Sequence, residues 1–373
     1  LNRHFNRLEI DLGAVAHNLG QVKRIVGSGV KVMAVVKADA YGHGLIPVSR
    51  RLAESGADAF GVMDLDEGVR LREAGLKQPV FILAGFDTDG CPEIVRHRLA
   101  PFVYDPGLAR ELNEAARKAD ARVEVHLKLD TGMNRLGVRC EEAERFLEAV
   151  RRLDRLDVTG LATHFADADL KDGRFMDGQL DRFDDLTGVA RRMGYDRLRL
   201  NNAANSAAVL GSPRSHLDMV RPGLMLYGDL PGEHLAGRAQ LRPAMRMSSR
   251  IIQIKRLSRG EAVSYGLTWT AFRETRLAVV PVGYTHGFHW LLSNRGQALI
   301  RGSVAPVRGR VCMNLTMFDV TDVPDAAPGD EVVLLGAQAG ASITAGQVAA
   351  RAGTISYEMF CTMGGLNSRE YAS

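Results

Sequence analysis

Lys37 closes the apolar run of residues 30–36 and is followed by Ala38, Asp39, Ala40, Tyr41, Gly42, His43 and Gly44. A lone lysine there is ordinarily a solvated strand-end charge. Here other reactive side chains sit at equivalent places. Asp130, Thr131, Met133 and Arg135 follow the run 122–129, which contains Lys128. His164 ends the run 156–164, while Asn201, Asn202, Asn205 and Ser206 follow 196–200, and Arg221 and Gly223 follow 216–220. A lysine amine kept neutral by its surroundings forms imines readily, and pyridoxal phosphate is the common cofactor that exploits this. Its phosphate needs backbone N–H donors, which RPGLMLYG (221–228) offers because Gly223 allows close approach of the main chain. On spacing alone, a generic barrel enzyme stays open beside that reading.

Other chemistries find no support in the chain. No carboxylate pair stands out for glycoside hydrolysis. HExxH, GxSxG and the phosphate-loop GKS/T pattern are absent. Cys91, Cys140, Cys312 and Cys361 lie far apart with no CxxC pair, which suits a reducing cytoplasm and argues against a zinc knuckle. The 48 basic and 44 acidic residues are interspersed, so nucleic acid is not an expected partner. No apolar run approaches the ~18 residues of a membrane span, and cytoplasmic localisation is expected.

The elements that must position these groups alternate. Runs at 30–36, 59–63, 79–85, 99–104, 122–129, 156–164 and 196–201 read as strands, with amphipathic helical stretches between them. Several helices stop at glycine, as at Gly56, Gly75 and Gly194. This rhythm predicts an α/β fold: residues 1–232 form a (β/α)8 TIM-like barrel whose reactive groups lie at strand C-termini. Residues 1 to about 10 are expected to pack as a strand with the second domain. Pro231, Gly232, Gly237 and Pro243 punctuate a linker, after which residues 233–373 read as a mostly-β domain without long helices.

The motif AVVKADAYGHG resembles the cofactor-lysine motif of the alanine racemases, a family of barrel-type pyridoxal-phosphate enzymes. LKLDTGMNRLG (127–137), THFADAD (163–169), NNAANSAA (201–208), MVRPGLMLYG (219–228), VSYGLTWTA (263–271), PVGYTHGF (281–288), GRVCMNLT (309–316) and TISYEM (354–359) match further motifs in order. The resemblance implies racemisation of L- to D-alanine for peptidoglycan supply, in a cytoplasmic homodimer that shares its active sites. By resemblance, Lys37 is the covalent anchor of pyridoxal 5'-phosphate and one catalytic base, and Tyr265 of the other subunit is the second base. Arg221 faces the pyridine nitrogen, with His164 between it and Tyr265. Tyr41, Asn205, Ser206, Gly223, Leu224 and Tyr357 complete the cofactor site. Arg135 serves cofactor and substrate carboxylate, with the Met313 N–H of the other subunit as a second carboxylate donor. Lys128 matches a lysine that is carbamylated in some members.

Three positions depart from the family pattern: Asn314 and His286 stand where an aspartate is frequent, and Asn134 where a small residue is. They bear on substrate, so a racemase preferring serine or another amino acid is the alternative. A non-catalytic pyridoxal-phosphate barrel protein is a further one, against which VSYGLTW and GRVCMN count.

Overall fold

Parallel strands Lys31–Val35, Ala59–Val62, Val80–Ile82, Ala100–Val103, Val123–Asp130 and Leu156–Ala162 lie side by side in chain order. Met219–Val220 pairs with the first of them and brings the sheet round towards closure. The computed structural model that shows this describes residues 5–372. Ala59–Val62, Val80–Ile82 and Ala100–Val103 are buried along their whole length, as expected where helices cover one face and the barrel interior the other. Aspartates set the helix starts: Asp11, Asp64 and Asp105 each accept a backbone N–H from the first turn that follows.

One expected strand is not a strand. Between Leu156–Ala162 and Met219–Val220, residues 196–202 fill the remaining position, but only Ala162 and Asn202 form a bridge. Backbone bonds persist, as from the Asn202 N–H to Leu161 O at 3.0 Å, but side chains interrupt the ladder. The Leu161 N–H donates to Asn201 Oδ1 at 2.9 Å, and the Asn201 N–H donates to Asp218 Oδ2 at 2.9 Å. A carboxamide and a carboxylate thus take bonds that a regular strand would give to carbonyls.

The second unit is built on a sheet in the order Ser303–Pro306, Gln297–Ile300, Glu331–Gln338, Met245–Arg250, Arg7–Asp11, Arg369–Ala372. The chain's first described strand lies antiparallel to Met245–Arg250 and parallel to Arg369–Ala372. Residues 1–4, part of the expected N-terminal strand, lie outside the described residues. Two helices, Ala345–Ala352 and Ser356–Leu366, correct the expectation of a domain without long helices. Thr344 and Gln347 start the first with a reciprocal capping box. The stretch 228–244 is no free linker, since the Asn18 side chain on the first barrel helix donates to Arg242 O and accepts from the Arg242 N–H.

Candidate active site

A cavity of about 530 Å³ opens at the C-terminal ends of the barrel strands, within the size range of cofactor pockets. Lys37, Tyr41, Lys128, Arg135, His164, Asn205, Ser206, Arg221, Gly223, Leu224 and Tyr357 all line it. Met63, Leu83 and Phe102 supply apolar wall that the sequence did not single out.

Lys37 enters through an unusual backbone. Ala38, Asp39, Ala40 and Tyr41 have φ of +54°, +52°, +56° and +53°, a full left-handed turn of L-residues. Such geometry costs about 1–2 kcal/mol per residue. Within the turn, Ala40 N–H donates to Val36 O at 2.8 Å and Gly42 N–H to Ala38 O at 2.9 Å. Helix Ser356–Leu366 is pressed against it: a Cβ on Gly364 would stand 1.9 Å from Gly42 O. The turn delivers Lys37 and Tyr41 to one cavity from its two ends. Burial, aided by the charge of Arg135, lowers the Lys37 pKa and favours the neutral amine.

Ser206 and Gly223 line one end of the cavity, where the hydroxyls of Ser206, Tyr41 and Tyr357 are the donors, because the Gly223 N–H expected to serve an anion is bound within the protein. Ser206 Oγ accepts from the N–H groups of Gly223 at 2.9 Å and Met225 at 3.3 Å. A Cβ on Gly223 would lie 2.4 Å from the Tyr41 hydroxyl, so only glycine lets backbone and phenol meet. Burial raises the Tyr41 pKa and pushes that of Tyr357 up to about 12, leaving both as hydroxyl donors at neutral pH. Asn205 has a structural task as well: its Oδ1 caps helix Ser206–Gly211 through the Ala208 N–H at 3.1 Å.

Arg221 is buried and locked in orientation. It donates to Thr163 O at 2.6 Å, to Ala203 O at 3.2 Å and to Asn202 Oδ1, and its Nη2 lies 3.3 Å from His164 Nδ1. Burial pushes its pKa down to about 10, still high enough to keep the guanidinium charged at neutral pH. Burial, and then the Arg221 charge, hold the His164 pKa well below the usual imidazole value. Asn202 also donates to His126 Nδ1 at 3.0 Å, and His126 is held uncharged by burial, with its pKa down to about 3. In the sequence Asn202 is one of several strand-end amides, and the Asn201–Asn202 doublet is the signal that marks it. Lys128 is buried, and its pKa is driven well down by burial and then by Arg221.

Tyr265 and Met313 are not brought to this cavity. They lie on the second unit, 73% and 55% exposed. Tyr265 lines a separate hollow of about 470 Å³ with Ser264, Cys312 and Leu315. Leu267, Phe272, Trp290, Leu291 and Leu315 are also exposed in this unit. The departures His286 and Asn314 flank Thr285, which donates to Met313 O at 2.8 Å, accepts from Asn314 Nδ2 at 2.9 Å and lies 3.4 Å from His286 Nδ1. Among the described residues, no group of three or more His, Cys, Asp or Glu is placed to hold a metal, all four cysteines are free, and no helix is long and apolar enough to cross a membrane.

A buried lysine just beyond a barrel strand, sharing one cavity with a buried arginine and a cluster of hydroxyls, and a β domain appended, define a lysine-centred two-domain barrel enzyme. The model described as "Alanine racemase, N-terminal domain" matches residues 10–231, and "Alanine racemase, C-terminal domain" matches 244–371. The chain is 43% identical over 363 residues to an alanine racemase of Halothermothrix orenii, covering 97% of this chain and 96% of the relative. The solved alanine racemase from D-cycloserine-producing Streptomyces lavendulae superposes with a TM-score of 0.95 at 33% identity, over 100% of this chain and 98% of that one. That of Bacillus anthracis with bound L-Ala-P gives 0.90 at 29%, over 100% and 96%. The chain belongs to the alanine racemase family.

Proposed function

We propose that the chain interconverts L- and D-alanine with pyridoxal 5'-phosphate, at a site completed by a second copy of itself. The observation that carries this is the convergence in one cavity of a buried lysine of lowered pKa, a cluster of hydroxyls and a fixed arginine. The relatives' shared name supports the substrate.

The residues fit the cofactor. Lys37 Nζ would hold its aldehyde carbon, and the Ser206–Gly223–Tyr41 end, with Leu224 and Tyr357, would take its phosphate. Arg221 would face the ring nitrogen as a donor that does not give up its proton, because its guanidinium stays charged. When bound, pyridoxal phosphate supplies an electron sink for the charge left as the α-proton departs. Lys37 Nζ would move a proton at the alanine α-carbon on one face. Inversion needs a proton carrier on the other face, and the exposed Tyr265 phenol of a second copy supplies it. Arg135 binds the substrate carboxylate with the Met313 N–H of that copy, and carbamylation of Lys128, whose buried amine is held towards its neutral form, would create an anion that orients Arg135. The exposed apolar side chains around Tyr265 suit burial against another copy. D-alanine made this way would serve peptidoglycan synthesis.

The test is chiral analysis of L-alanine, L-serine and a panel of other amino acids after incubation with the protein and pyridoxal phosphate. D-alanine as the dominant product is expected. Faster conversion of serine would shift the reading to the alternative substrate, and no inversion of any amino acid would refute it.

A further inference from the structure

The left-handed turn after Lys37 is strained backbone, and strain of this kind persists only where the surroundings over-determine it. Two carboxylates that take no part in the proposed chemistry do this. Glu67, buried at the start of helix Leu65–Glu73, accepts the Asp39 N–H on Oε1 at 3.0 Å and the Met63 N–H on Oε2 at 2.8 Å. Asp39 Oδ1 accepts the Leu45 N–H at 2.8 Å, where the next helix begins, and lies 3.6 Å from Arg70. Asp39 Oδ2 pairs with Arg369 Nη1, which also donates to Gly42 O at 3.1 Å. Arg369 opens the final strand, in the sheet of the other unit.

The turn is thus tied on one side to the second barrel loop and on the other to the end of the chain. We propose that Glu67, Asp39 and Arg369 are positioning residues of the reaction, holding the left-handed turn that fixes Lys37 Nζ relative to the Tyr41 hydroxyl. The role in a reaction rests on the function proposed above; the hold on the turn does not. Lys37 and Tyr41 bracket the turn, so its relaxation towards right-handed backbone changes their separation directly. Misplacing a reacting group by ~1 Å can cost about 10²-fold in rate. The charge of Glu67 also acts on Lys37, opposing the effects of burial and Arg135.

Glu67→Gln leaves one acceptor oxygen for two N–H donors and turns an NH2 towards the other. Arg369→Met removes the guanidinium and keeps the stem, and Arg369→Lys restores a cation. Val348→Ala, in the core away from the turn, serves as a control matched for lost thermal stability. The full-length variants are compared in two ways. Amide hydrogen exchange of residues 38–44 is followed in cofactor-free protein. The rate at which added pyridoxal phosphate becomes fixable on Lys37 by borohydride is measured as well.

Expected are at least tenfold faster exchange at 38–44 and at least tenfold slower labelling in Glu67→Gln and Arg369→Met. Arg369→Lys should recover part of both, and Val348→Ala should change neither. Unchanged exchange and labelling in the first two variants, or equal changes in Val348→Ala, would overturn the proposal. If unmodified protein takes no label on Lys37 while exchange responds as expected, the cofactor reading fails and the hold on the turn stands.

Discussion

Lys37 and Tyr265 belong to one chain but not to one cavity: Lys37 lines the barrel mouth, and Tyr265 stands 73% exposed on the second unit. In the proposed reaction, proton carriers on opposite faces of one carbon therefore require a second copy. Tyr265→Phe keeps the ring and removes the hydroxyl. Alanine racemisation should fall by about 10²–10⁴-fold, the usual size of a lost acid–base group. Borohydride labelling of Lys37 should persist. Unchanged α-proton exchange from L-alanine in deuterated water would show that Tyr265 is not that carrier.

Arg221→Lys tests orientation rather than charge. The guanidinium reaches two carbonyls and a carboxamide at once, which a lysine ammonium cannot reproduce in the same plane. A lost bond to a charged group is worth about 1.5–3 kcal/mol. Turnover should drop by at least tenfold, visible as a fall in kcat. Wild-type kcat in Arg221→Lys would mean that the bond pattern around the guanidinium is not needed.

Gly364→Ala addresses the seat of the lysine turn. The added methyl would meet Gly42 O at 1.9 Å, a backbone atom that no side-chain rotation can move away. Overpacking of this kind costs roughly 1–3 kcal/mol. A lower unfolding midpoint and weaker pyridoxal-phosphate binding should appear together. Loss of neither would show that the helix and the turn can part without consequence.

Acid sensitivity follows from buried imidazoles, those of His43 and His126 as well as that of His164. Burial holds the pKa of His43 down to about 4 and that of His126 down to about 3. The unfolded chain protonates both near 6.5, so their contribution to stability is fully present above that pH and is lost as pH falls towards the folded values. At pH 5 the loss is roughly 2 kcal/mol for each. The denaturant midpoint should fall between pH 7.5 and pH 5. His43→Phe, which keeps an aromatic ring against Tyr227, should flatten part of that fall. The same slope in the variant would contradict the assignment for His43.

The barrel, the following β-rich unit and most cavity residues could be read from the sequence because reactive side chains fall at the ends of buried apolar runs. Position along a strand is a local property, and so is the turn chemistry that separates strands. The left-handed turn could not be read, since Ala38, Ala40 and Tyr41 carry none of the usual signals of positive φ. Asp39 also pairs with Arg369, 330 positions away, which no local pattern reveals. The stretch 196–201 has strand-like composition, yet the side chains of Asn201 and Asp218 interrupt its ladder. Gly364 and Gly365 disguise helix Ser356–Leu366, where Gly364 lowers helix propensity but permits close packing on Gly42.

The central claim is that Lys37 of one copy works with Tyr265 of another. Its most direct test mixes Lys37→Ala and Tyr265→Ala subunits, each inactive alone, and assays purified heterodimers for alanine racemisation. In a two-fold dimer, one of the two sites then regains both residues, and activity of about half the wild-type dimer is predicted. No activity in proven heterodimers would contradict the shared site.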